Sequence, residues 1–222
     1  MSTKLLDIKD IGHYWDYLGE AAQALREGEL VAFPTETVYG LGANAQSKEA
    51  VARLYEIKQR PQEKELARLI SDIEELGPLL EGLPVAARIL MREFWPGPLT
   101  IVIRDPDGRD VGIRLPGHKV ARDLIRMAGV PILATSANLS GRPPAIDAQG
   151  VMESFRGKVK IILDAGPSSL KVPSTVVKVT HEACPSVAPK ELWRACHILR
   201  LGAIPKERIF DCLKKEEIGV VQ

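Results

Sequence analysis

Amphipathic stretches of helical length alternate with short apolar runs along most of this chain, and that alternation restricts its fold more than any other feature. In "YWDYLGEAAQALREG", Leu18, Ala21, Ala22 and Leu25 recur at helical spacing and Gly28 supplies a stop, after which "ELVAFP" reads as a buried strand. "SKEAVARLYEIKQR" predicts a second helix, with Ser47 as N-cap, Ala50, Val51, Leu54 and Ile57 on one face, and an end near Lys58. Further helices are expected at "LPVAARILMREFW", "HKVARDLIRMAG" and "AQGVMESF". Strands are expected at "LARLIS", "LTIVIR", "VGIRLP", "VPILATS", "KIILDAG", "STVVKV" and "CHILRLG". A "DPDG" turn joins two of these strands into a hairpin and breaks strict alternation. The expected fold class is therefore α/β in the mixed α+β sense, a single twisted mixed β-sheet covered by helices.

A chain of 222 residues can bury one sizeable core. One compact domain is expected over residues 1–204, followed by a short helix and a tail over 205–222 whose end, "KKEEIGVVQ", is loosely held. Lys and Arg number 30 against 29 Asp and Glu, so any anion site must be local rather than a consequence of bulk charge. Cys184, Cys196 and Cys212 are odd in number and lack Cys-x-x-Cys spacing, which argues against a disulfide framework or a structural zinc and fits a reducing compartment. The amino terminus has acidic residues where a signal peptide would be apolar, and no run reaches membrane-spanning length, so a soluble cytoplasmic protein without a membrane partner is expected. The sequence has no P-loop, "GLGANA" lacks the third glycine of a dinucleotide fingerprint, and His13, His118, His181 and His197 are scattered.

Four polar stretches fall at the ends of expected elements, where sheets of this class bind ligands. "PTETVYGLG" carries hydroxyls at Thr35 and Thr37, and Gly40 and Gly42 permit a close approach to the backbone; the alternative is a turn whose threonines bond their own main chain. Glu36 within it is either a base or a surface carboxylate. "KQRPQEK" gathers Lys58, Arg60 and Lys64 after a helix, as a phosphate clamp or as a solvated face. "ATSANLSGRPP" offers Ser136, Asn138 and Ser140, which can wrap a phosphate or cap the next helix. Arg114, Ser174 and Arg200 sit in or beside apolar strands, so the two arginines require anionic partners, for which internal salt bridges suffice.

In order, "FPTETVYGLGANA", "YEIKQRP", "FWPGPLTIVI", "VGIRLPGH", "PILATSANLSGRP", "LDAGP", "STVV" and "ILRLGAI" resemble the YrdC-like family of threonylcarbamoyl-AMP synthases, from about residue 11 to about residue 204. The resemblance implies a nucleotidyltransferase that makes L-threonylcarbamoyl-adenylate and pyrophosphate from L-threonine, bicarbonate or CO2, and ATP, for threonylcarbamoyladenosine in tRNA. It assigns ATP to Lys58, Arg60, Lys64, Ser136, Asn138 and Arg200, with Lys58 and Arg60 stabilising the transition state, and threonine to Thr35, Arg114 and Ser174. Arg114 would then grip the threonine carboxylate bidentately. Magnesium would arrive on ATP, with no tightly bound protein-ligated metal. The implied partners are the threonylcarbamoyl transferase machinery and tRNA or RNA, and the end soon after "ILRLGAI" is that of the short single-domain members. The sequence departs from the pattern at Glu65, where many relatives have proline, at Leu69, where many have histidine, and at Pro173, in place of an acidic residue. The segment 180–197 is also longer than the pattern. Two other functions compete: an RNA-binding protein of this fold without adenylate synthesis, and a paralogue using another amino acid or carbamoyl donor.

Overall fold

The computed structural model describes residues 2–9, 11–180 and 195–219; Cys184, His181 and most of the long segment before "CHILRLG" lie outside them. The described strands are Lys4–Asp7 (β1), Val31–Phe33 (β2), Gly40–Asn44 (β3), Ala67–Leu69 (β4), Leu99–Arg104 (β5), Asp110–Arg114 (β6), Ile132–Ser136 (β7), Ile161–Asp164 (β8), Thr175–Val179 (β9) and Cys196–Arg200 (β10). The α-helices are Tyr14–Arg26 (α1), Lys48–Lys58 (α2), Val85–Phe94 (α3), Lys119–Ala128 (α4), Ala148–Phe155 (α5) and Lys206–Gly219 (α6). All ten strands form one sheet in the order β1-β8-β2-β3-β7-β4-β6-β5-β9-β10. It is mixed, as expected: β4 runs parallel to β6 and β5 to β9, whereas β5 and β6 form the antiparallel hairpin.

Local chemistry accounts for the helix ends. Ser47 Oγ accepts from the Ala50 N–H at 3.1 Å and starts α2, and Gln59 stops it in the left-handed region at φ 51°. Asp147 caps α5 in the same way through the Gly150 N–H, and Gly129 ends α4 at φ 63°. Leu18, Ala21, Ala22 and Leu25 of α1 are fully buried, as their spacing predicts.

The period of two along the strands sorts the core. Val31 and Phe33 face the layer under α1 and α4, whereas Ala32 faces the layer under α2 and α5. In the other half of the sheet, Leu99, Ile101, Ile103, Ile113, Val177 and Val179 pack against α3 and α6. The residues between them on those strands face the opposite way, onto a cavity that no described helix fills.

Two strands escape the sequence patterns. β1 is short and mostly exposed, so it has no apolar alternation to read. β3 is the "GLGAN" run, in which the glycines suggest a backbone approaching a ligand. Their approach is to Phe33: a Cβ on Gly42 would stand 2.8 Å from the Phe33 ring, and one on Gly40 3.2 Å from it. The glycines let an aromatic ring lie flat on the neighbouring strand. At the other end, α6 continues to Gly219, beyond the point where a loose tail is expected, and Ile209 and Leu213 are fully buried.

Candidate functional site

The uncovered face of β4, β6, β5 and β9 is the floor of a cavity of about 480 Å³. Thr100, Val102, Gly112, Arg114 and Val176 reach it because each alternates with a residue of the α3 and α6 core. Register sets their neighbours: Leu69 is paired with Arg114 and Thr100 with Val176, so each pair shares the cavity face. The walls come from the loop between β2 and β3, the turn after α2, the end of β7 and the start of β9.

Three guanidinium groups line this cavity, and each is tethered in the same manner. Arg60 donates from Nε to Lys64 O and from Nη2 to Glu65 O, both at 2.9 Å. Arg200 donates from Nε and Nη2 to Ser174 O, at 3.2 and 2.8 Å, and from Nη2 to Ser174 Oγ at 3.0 Å. Arg114 donates from Nε to Gly97 O at 3.2 Å and from Nη2 to Glu36 Oε1 at 2.6 Å and Thr37 Oγ1 at 2.9 Å. In all three, Nη1 has no hydrogen-bond partner among the described residues. The fork needed for a bidentate carboxylate grip is already engaged in Arg114, which leaves a grip through Nη1 alone.

Charge balance differs among the three. Arg114 pairs with Glu36, and both side chains are nine-tenths buried, so Glu36 is neither a surface carboxylate nor a residue of the cavity lining. Arg60 and Arg200 are held only by neutral oxygens, where the sequence leads one to expect an anionic partner for Arg200. Burial, followed by the charges of Arg114 and Arg60, pushes the Arg200 guanidinium below its ordinary range. Burial does the same to Arg60. Two pre-oriented guanidiniums with no carboxylate partner among the described residues thus stand beside a third, in a cavity that Glu63, Glu65 and Asp110 also line.

The remaining candidate residues divide between lining and support. Ser136 and Ser174 line the cavity, and Ser174 Oγ also lies 2.9 Å from Thr100 Oγ1. Thr35 lines it as well, but its hydroxyl donates to Val38 O at 2.6 Å and accepts the Thr37 and Val38 N–H groups. The turn alternative for this stretch is therefore present inside the cavity wall. Lys58 is only 1% exposed and stands behind the lining. Its ammonium donates to Ser136 O, to Asn138 O at 2.7 Å and to Asn138 Oδ1 at 3.5 Å, so it ties α2 to the loop after β7. Burial, with the nearby Arg60 charge second, pushes Lys58 down to about 7. Asn138 accepts from Ser136 Oγ at 2.6 Å and donates to Leu139 O and Arg142 O, so it orders the same loop from within. Lys64 is exposed and lies outside the lining.

Leu69 and Pro173, two of the departures from the family pattern, line the cavity, and so does Glu65. Sequence inspection misses Thr100, whose place on the floor follows only from strand register, and it misses the Glu36–Arg114 pair, whose members are 78 residues apart. The isolated carboxylate in "PTETV" was the available signal for that pair. Among the described residues, no group of three or more His, Cys, Asp or Glu stands close enough to hold a metal ion. Nor is any described helix long and apolar enough to cross a membrane.

Comparison with known proteins is consistent across sequence and structure. Residues 23–188 match the profile of the Sua5/YciO/YrdC family, described as telomere recombination. A threonylcarbamoyl-AMP synthase of Bacillus subtilis is 43% identical over 202 residues, covering 86% of this chain and 55% of the relative. A protein of the same name from Pyrococcus abyssi is 42% identical over 216 residues, covering 93% and 60%. The crystal structure of P. abyssi Sua5 complexed with L-threonine superposes with a TM-score of 0.76 at 39% identity, covering 88% of this chain and 56% of that one. The chain thus spans 55% and 60% of the length of these two curated relatives.

Proposed function

The chain belongs to the Sua5/YciO/YrdC family, and from that premise we propose that it makes L-threonylcarbamoyl-adenylate and pyrophosphate from L-threonine, bicarbonate or CO2, and ATP. The observation that carries this reading is the pair of guanidiniums, Arg60 and Arg200, fixed on neutral oxygens in one cavity with Arg114. Such a site calls for a polyanion and a carboxylate together. Triphosphate charge is met by Arg60 and Arg200, with magnesium arriving on ATP, and Ser136 Oγ, whose proton goes to Asn138 Oδ1, is an acceptor for the nucleotide. Threonine binds by its carboxylate to Arg114 Nη1, beside Ser174 and Thr35.

In this arrangement the threonine amine takes up CO2 to form a carbamate, losing a proton. A carbamate oxygen then attacks the α-phosphorus, the α–β phosphoanhydride bond breaks, and pyrophosphate leaves with the electron pair. The protein supplies orientation and charge stabilisation rather than a nucleophile. Lys58 and Asn138 act by holding the loop that presents Ser136, and Lys64 adds positive charge near the rim. The adenylate is then handed to the transferase machinery that modifies adenosine in tRNA, a reaction that belongs in the cytoplasm.

The test is pyrophosphate release from the purified protein with ATP, magnesium, bicarbonate and L-threonine, omitting threonine and bicarbonate in turn. Release requiring both co-substrates supports the reading, and ATP hydrolysis indifferent to threonine removes it. Leu69 beside Arg114 favours a second reading, in which another aliphatic amino acid replaces threonine. A screen of amino acids in the same assay separates the two.

A further inference from the structure

We propose that Glu36 is the positioning residue for the amino-acid carboxylate, acting through Arg114. The proposal rests on the function proposed above. Glu36 is 9% exposed and is not part of the cavity lining, so it does not meet the substrate itself. Its main chain is pinned from outside the cavity: Glu36 O accepts from the Leu170 N–H at 2.9 Å and from Ser169 Oγ at 3.2 Å. Its carboxylate lies beside Gly117: a Cβ there would stand 3.5 Å from Glu36 Cδ, in ordinary van der Waals contact, and 3.3 Å from Gly97 Cα.

From that seat Oε1 takes one N–H of Arg114 Nη2 at 2.6 Å, Thr37 Oγ1 takes another at 2.9 Å, and Gly97 O takes the Nε–H. Three of five guanidinium protons are thereby committed, and the two on Nη1 are the ones left for a ligand. The Thr37 contact continues the line. Thr35 Oγ1 already donates to Val38 O, so Thr37 Oγ1 is the donor in its 2.8 Å contact with Thr35 Oγ1, and it accepts from Arg114. Glu36 and the two threonines form one rigid cradle for the guanidinium.

The charge of Glu36 has a second consequence. Arg114 and Arg200 repel each other across the cavity. With Glu36 neutralising it, Arg114 stays on the floor beside Leu69 and is not pushed out as a third free cation toward the phosphates. Oε2 of Glu36 is buried and has no partner among the described residues, so the carboxylate is not there to satisfy a general hydrogen-bond network. Arg114 is the only side chain it holds among the described residues.

The experiment compares Glu36→Gln, which keeps shape and loses charge, with Glu36→Asp, which keeps charge and loses reach. Folding is checked by thermal melting. KM is measured separately for threonine and ATP in the pyrophosphate assay, and threonine binding by calorimetry. The expected result for Glu36→Gln is a threonine KM raised about 10- to 100-fold with the ATP KM within about twofold, and a smaller loss for Glu36→Asp. A space-filling role would reverse that order, because glutamine is the closer fit. The proposal is overturned if both variants bind threonine as the parent does, if ATP and threonine KM rise together, or if Asp is the worse variant. An unaltered protein that turns over neither threonine nor any other amino acid defeats the functional reading and the proposal with it. Normal turnover in the parent with an unchanged Glu36→Gln defeats the proposal alone.

Discussion

At the scale of single residues, the three cavity arginines differ in what holds them. Arg60 and Arg200, unlike Arg114, have no carboxylate partner among the described residues, so removing either takes positive charge from the cavity without unpairing a buried anion. Arg200→Ala should raise the ATP KM by about 10-fold or more, with a smaller rise in threonine KM because Ser174 loses its tether, whereas Arg114→Ala strands Glu36 and should also destabilise the fold by about 3–5 kcal/mol. Parallel kinetics and urea melts on the two variants check both statements. His118 offers a pH test beside the same pair. Burial holds its imidazole below the usual value of 6.5, against the opposing pull of Glu36, and its Nδ1 is buried without a partner. The unfolded chain therefore takes up a proton near about 6.5 that the folded protein refuses until lower pH, so acidification through that window favours unfolding. The urea midpoint of the parent should fall more between about pH 7.5 and about pH 5 than that of His118→Gln.

At the scale of elements, what the sequence made legible was what repeats locally. The apolar faces of α1 and α2, the Ser47 cap and the β5–β6 hairpin all announce themselves within a dozen residues. β3 does not, because a strand that receives Phe33 on its backbone must give up the side chains that make strands recognisable. Gly42→Ala should therefore cost about 1–3 kcal/mol through the forced contact with the Phe33 ring, and pairing it with Phe33→Leu should recover part of that loss. Thermal melting of the single and double variants decides it; additive losses would mean that the glycine serves something other than the ring. The same limit applies to the site. Its motifs were visible one at a time, but which members reach the cavity depends on pairings such as Leu69 with Arg114 and on loop contacts such as Lys58 with Ser136, and these join distant segments.

At the scale of the whole molecule, the cavity half of the sheet has one face open to the cavity and one packed in the core, so its floor is only as firm as the packing beneath it. That packing comes from α3 and α6, and α6 contributes Ile209 and Leu213, both fully buried, from the short helix that the sequence suggests before its loose end. Leu213→Ala should remove about 2–5 kcal/mol of stability, the usual cost of a cavity in a core. The expected kinetic signature is a split. At temperatures well below the melting transition KM values should stay near those of the parent, because Leu213 belongs to the core cluster on the face opposite the cavity. Near the transition the variant should lose activity first, and ATP should restore part of the lost melting temperature, since a ligand that binds only the folded state stabilises it by mass action. If instead Leu213→Ala changes threonine or ATP KM in the cold, the floor strands shift when α6 loosens, and the sheet transmits packing from one face to the other rather than separating them.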